Sequence, residues 1–136
     1  MMRYVLVYIV TLLSFLAIDA TWLTFVAGGV FKSEVGALLR AEPNGPAAVA
    51  FYLLYPIGLV ALAIAPAVQA RSLAQALWKG ALLGLCAYAT FDLTNLAILT
   101  GWTTRVSLFD TSWGTVCSAV ASAIGYGVAG SFRASP

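Results

Sequence analysis

Asp19 and Asp92 are carboxylates set inside long apolar runs, Tyr4–Ala27 and Leu77–Thr100. The segments that follow them match. Asp19-Ala20-Thr21-Trp22-Leu23 and Asp92-Leu93-Thr94-Asn95-Leu96 share Asp, Thr and Leu at the same relative positions. A carboxylate in hydrocarbon costs about 2.5–3.5 kcal/mol on insertion scales. Two of them in matched settings point to a polar site at membrane depth, where acids hold a cation, carry a proton or bond a neighbouring helix.

Other residues fall into register with them. Tyr4, Tyr8, Thr11, Phe15, Asp19 and Trp22 recur at steps of three or four, a single helical stripe, as do Tyr88, Asp92 and Asn95. Trp102, Asp110 and Trp113 gather at the same end of the chain's hydrophobic segments. The pattern predicts a pocket between the first and third helices that opens outward, with acids within and tryptophans at its mouth. Its candidate ligand-binding residues are Asp19, Trp22, Tyr88, Asp92, Asn95, Trp102, Asp110 and Trp113. A second reading stays open, in which a protonated Asp bonds Thr, Tyr or Asn across helices and serves as glue. Asp110 precedes Thr111-Ser112-Trp113, and there an N-cap is expected.

Several chemistries are disfavoured. The sequence has no histidine, the commonest general base and metal ligand, so a Ser-His-Asp set is impossible. Cys86 and Cys117 form no metal motif. Their expected depths differ by roughly 9 Å at the rise of a helix, too far for a disulfide, and both read as small buried apolar residues. No phosphate-binding glycine loop occurs. No metal and no cofactor is expected. The seven basic residues are scattered without a stripe, which argues against nucleic acid as a partner.

The elements that must position these residues follow from composition. The 136 residues are 62% hydrophobic and only 9% charged, with a mean hydropathy of +0.95, whereas soluble domains carry about 25% charge. Lipid is therefore the expected solvent. A spanning helix needs about 20 apolar residues, and the sequence offers four such segments, near 4–27, 47–70, 77–100 and 112–132. Arg3 ahead of an apolar run could mark a signal peptide, but the run's length, Asp19, and Ile18 at the −3 position of a cleavage after Ala20 favour a retained helix. Gly28-Gly29 predicts a break, followed by a short amphipathic interfacial helix on Phe31, Val35, Leu38 and Leu39, or else an ordered loop. Asn44-Gly45-Pro46 should start the second helix, Pro56 should kink it, and its end is expected near Pro66. Gly80-x-x-x-Gly84 and the small residues of the fourth helix predict close packing, within the bundle or between copies. A shift of 73 residues lays the first helix on the third and pairs Asp19 with Asp92 and Gly28 with Gly101, which suggests a parallel two-helix repeat.

Topology rests on basic residues. With both termini cytoplasmic, Arg3, Arg71, Lys79 and Arg133 lie inside and Lys32, Arg40 and Arg105 outside, four against three.

Tyr88-Ala-Thr-Phe-Asp92-Leu-Thr-Asn95-Leu-Ala, then Gly101-Trp102, then Asp110-Thr-Ser-Trp113-Gly114, resembles a bacterial family of small four-helix membrane proteins, a domain of unknown function. Phe51-Tyr52-Leu-Leu-Tyr55 and Asp19-x-x-Trp22-Leu23 resemble the rest of its signature, and Phe31 stands where the family tends to have a tyrosine. The resemblance implies an all-α integral membrane bundle in the bacterial cytoplasmic membrane, and no established activity.

Three functions fit. The first is binding or translocation of a small amphipathic or cationic molecule, proton-coupled through Asp19 and Asp92. The second is a structural subunit that docks a larger membrane partner through its Gly80/Gly84 face. The third is an enzyme that uses the Asp pair as acid and base on a lipid or isoprenoid. The bilayer is the expected partner, with a homo-oligomer or a larger membrane partner alongside a lipid or small ligand.

Overall fold

A computed structural model describes residues 2–132, with no strand among them. Arg133, counted above among the cytoplasmic charges, lies outside the described residues. The first helix is longer than the sequence predicts. α1 (Met2–Trp22) passes through a π-helical turn, Leu23–Ala27, into α2 (Gly28–Val35), and a 3-10 turn, Gly36–Leu38, ends the run. The break expected at Gly28-Gly29 is absent. The Gly28 N–H bonds the Leu23 carbonyl five residues back, and a Cβ on Gly28 would lie 2.8 Å from that oxygen. Glycine here makes room for a wide turn rather than ending a helix. The predicted short helix over Phe31–Leu39 is thus a continuation of the first one as far as Leu38, with Val35 buried.

α3 (Gly45–Gly58) starts as predicted. The Asn44 side chain accepts the Ala47 N–H at 3.1 Å, and Pro46 sits in the first turn, where a missing donor does no harm. Pro56 lies inside this helix, which continues through a π-helical stretch, Leu59–Ile64, into α4 (Ala65–Gln69). Pro66 falls in the first turn of α4, so it does not end the span. A tight reversal with Arg71 at φ 52 leads to α5 (Leu73–Ile98), capped by Ser72.

α6 (Thr104–Ser131) corrects the sequence reading most. Thr103 caps it, accepting the Val106 N–H at 3.2 Å. The helix therefore begins well before Ser112, and Asp110 lies inside it rather than at its N-cap. The polar Thr103-Thr104-Arg105 start resembles a loop by hydropathy and hides the first two turns.

Three runs, Met2–Leu38, Gly45–Gln69 and Leu73–Ile98, are long and apolar enough to cross a membrane. α6 is as long but richer in Ser, Thr and Gly, and it runs against both α1 and α5. Part of its polar side is met inside the bundle, as hydrocarbon favours, with Ser118 at 2.8 Å from the Tyr55 hydroxyl, while the buried Ser122 hydroxyl has no partner. Large apolar side chains point outward, Phe25 at 82% and Ile98 at 75% exposure, as lipid-facing helices require.

The Gly80-x-x-x-Gly84 face is consumed within the chain. A Cβ on Gly80 would lie 2.7 Å from the Ser118 carbonyl, and one on Gly84 would lie 2.3 Å from that of Gly114. That face is therefore closed to any external partner. The packing is also unequal between the halves, with α5 lying along α6 far more extensively than α1 along α3. Cys117 is buried as predicted, but Cys86 is exposed on the apolar surface because it faces away from α6. One buried cluster, Val7, Ile64, Val68 and Ala129, sits near the chain termini; another, Phe15, Leu59, Cys117 and Ala121, lies at mid-bundle.

Candidate functional site

Beyond the mid-bundle cluster, at the end remote from both termini, the helices part around a cavity of ≈ 540 Å³. α1 contributes Asp19, α2 Phe31, α3 Phe51 and Tyr52, α5 Tyr88 and Phe91, and α6 Asp110. Its surface is mostly apolar, with five aromatic rings, Leu23, Ala48 and Ala87 around the two carboxyls, and no basic residue among the described residues lines it. Its size falls within the range of about 300–1,000 Å³ that holds drug-sized ligands.

Asp19 is 6% exposed and fully engaged. Tyr52 donates its hydroxyl to Oδ2 at 2.5 Å, and Trp113 donates its indole N–H to Oδ1 at 2.9 Å. One carboxylate thus ties α1 to α3 and α6. Trp113 lies flat on Trp22, with ring centroids 4.2 Å apart and planes 5° apart, and Trp22 stacks in turn on Phe109 at 4.8 Å. These two tryptophans do not form a mouth to the cavity. Neither lines it, and both line two separate grooves of ≈ 490 and ≈ 450 Å³.

Asp92 occupies a different position. It is 0% exposed and does not line the cavity. Its Oδ2 accepts the Thr111 hydroxyl at 3.1 Å, while Oδ1 has no partner. The Asp110 carboxyl, 9% exposed, meets Asp92 within hydrogen-bonding range across the α5–α6 contact. Asp110 therefore faces the cavity on one side and Asp92 on the other. The Asp92 carbonyl accepts the Ser107 hydroxyl at 3.4 Å, and Trp102 donates its indole N–H to the same Ser107 at 3.1 Å. Trp102 also meets Phe91 and Phe31 edge to face, at 5.5 and 6.2 Å, which connects the acid pair's end of α6 to α2. Tyr88 presses its ring onto Gly114; a Cβ there would lie 2.1 Å from it. Asn95 is half-buried one turn beyond Asp92 and is not a lining residue.

Of the eight residues singled out by sequence, Asp19, Tyr88 and Asp110 line one cavity. Asp92 meets it only through Asp110, and Trp22, Trp113, Trp102 and Asn95 are not among its lining residues. The expected pairing of Asp19 with Asp92 gives way to a pairing of Asp92 with Asp110. Sequence reasoning missed Tyr52, Phe51, Phe31, Phe91 and Thr111. Tyr52 carried a signal, a hydroxyl within an aromatic run at membrane depth, but nothing local reveals that its partner is Asp19.

A family model described as a predicted membrane protein, DUF2177, matches residues 4–127. No curated protein and no solved structure matches the chain.

Proposed function

The chain belongs to the predicted membrane protein family DUF2177, and from that premise we propose that it binds a small amphipathic cation in the cavity between α1, α3, α5 and α6. The observation that carries this reading is the lining itself. Phe31, Phe51, Tyr52, Tyr88 and Phe91 surround Asp19 and Asp110, with no basic residue among them. Aromatic faces attract a cation, worth about 0.5–1 kcal/mol when exposed and about 2 kcal/mol or more when desolvated. The carboxyls repel anions and offer a counter-charge. Of the two acids, Asp110 is the better counter-charge, because both oxygens of Asp19 already accept protein donors. Transport across the bilayer would extend the same site, with both termini cytoplasmic.

Tetraphenylphosphonium is a suitable probe, being cationic, apolar and of fitting size. In equilibrium dialysis against detergent-solubilised protein, Asp110→Asn should weaken its binding tenfold or more. Unchanged affinity in that variant would end the proposal.

The structural-subunit reading draws support from Asp19, whose saturated hydrogen bonds are those of an interhelical joint. The two readings then apply to different acids of one molecule.

A further inference from the structure

The cavity reading leaves Asp92 unused. It is fully buried, it carries an oxygen with no partner, and a second carboxyl stands beside it. Two carboxylates within hydrogen-bonding range, both removed from water, cannot both stay ionised, since each lacks a counter-ion and repels the other. A single proton between them removes the repulsion and turns one acid into a donor. It would also give a hydrogen-bond partner to the Asp92 oxygen that has none, the other oxygen accepting the Thr111 hydroxyl.

Among the described residues, the surroundings offer no other neutralising group. From α1 the facing titratable group is Asp19, another acid, and from α5 it is Tyr88. Tyr52 of α3 is spent on Asp19. The nearest cation on α6, Arg105, is 75% exposed and paired outward with Glu34 of α2 at 2.8 Å.

We infer that Asp92 and Asp110 form a one-proton site whose proton leaves when a cation enters the cavity. The inference deepens the proposed function and rests on it for the second half. Asp110 is the link, since it both lines the cavity and touches Asp92. When a cation settles against Asp110, the shared O–H bond breaks, the electron pair stays on the carboxylate, and the proton passes to the aqueous phase. The cation then supplies the positive charge that the proton had supplied. Occupancy of the cavity by proton and by cation becomes mutually exclusive, which is the elementary requirement for exchanging one for the other.

Two measurements test this on the whole protein in detergent. Infrared spectroscopy of the ligand-free protein at neutral pH should show the C=O stretch of a protonated carboxyl. Addition of tetraphenylphosphonium should remove that band and release about one proton per probe bound, read with an indicator dye in weakly buffered solution. Probe affinity should fall about tenfold per pH unit on the acid side. Asp92→Asn should retain binding, because its amide donates to an Asp110 carboxylate that is already ionised, but around neutral pH it should release no proton and bind independently of pH. Absence of the carboxyl band overturns the proton site. Probe binding in wild type without proton release overturns the exchange while leaving the cavity reading intact. A band that persists while no cationic probe binds overturns the cavity reading, and the exchange with it.

Discussion

Trp113 donates its indole N–H to Asp19 across the α1–α6 contact at 2.9 Å, while the Tyr52 hydroxyl takes the other oxygen. An acid so placed acts first as a joint between three helices. Removal of the carboxylate leaves a half-buried indole N–H and a half-buried phenol without their partner. Interhelical hydrogen bonds in membrane proteins average about 0.6 kcal/mol and reach about 1.7. Asp19→Leu should therefore destabilise the bundle by roughly 1–3 kcal/mol, seen as a lower midpoint in detergent unfolding.

Asp110→Asn should behave oppositely. It replaces one member of a strained acid pair with an amide that donates to the other, so stability should hold or rise, as at many functional polar sites. Thermal unfolding of the two variants side by side distinguishes the joint from the site. Equal losses at Asp19 and Asp110 would make both of them structural.

How much of this was legible in the chain depends on the range of the interaction. Spans and membrane location follow from hydropathy, which is local and large, and the Asn44 cap follows from local chemistry. Asp19 and Asp92 announced themselves because a charge in an apolar run is costly wherever its partner lies. Their partners were hidden, since Tyr52 and Trp113 lie 33 and 94 residues from Asp19. The matched motifs suggested equivalent acids, yet Asp19 has two protein donors and Asp92 one donor and an acid neighbour. The start of α6 escaped because its first turns are polar, and hydropathy cannot tell a polar loop from a polar helix that is buried by its neighbours.

The α5–α6 seam should be intolerant of even one methyl group. A Cβ at Gly84 would meet the Gly114 carbonyl at 2.3 Å, a backbone atom that cannot swing aside. Gly84→Ala should cost about 1–3 kcal/mol as the helices are forced apart. Gly130→Ala, with nothing within 4 Å of the new atom, should instead gain about 0.5–1 kcal/mol from helix propensity. Unfolding midpoints that moved together would contradict the seam.

Glu34 accepts from Arg105 at 2.8 Å and from Thr103 at 3.1 Å, which fastens α2 to the start of α6 above the cavity. Arg105 is largely exposed, so the ion pair should add no more than about 1 kcal/mol to global stability. Its effect should be local. Glu34→Gln should leave the unfolding midpoint nearly unchanged yet speed amide hydrogen exchange over residues 28–38, beyond the π-helical turn. Exchange unaltered there would show that Phe31 and Val35 hold α2 by packing alone.

The cavity's two chemistries separate in a paired binding experiment. Phe91 offers an aromatic ring to any occupant, charged or neutral, whereas Asp110 offers only charge. Phe91→Ala should weaken tetraphenylphosphonium by roughly 2- to 30-fold, the span of a cation–π contact from exposed to desolvated. It should weaken a neutral analogue such as triphenylphosphine oxide as well, through lost apolar contact. Asp110→Asn should weaken the cation alone and leave the neutral compound untouched, or improve it, because a neutral guest gains nothing from a carboxylate that must be desolvated beside it. Equal losses of both probes in Asp110→Asn would mean that the acid shapes the cavity rather than reading charge, and the preference for a cation would have no physical basis left.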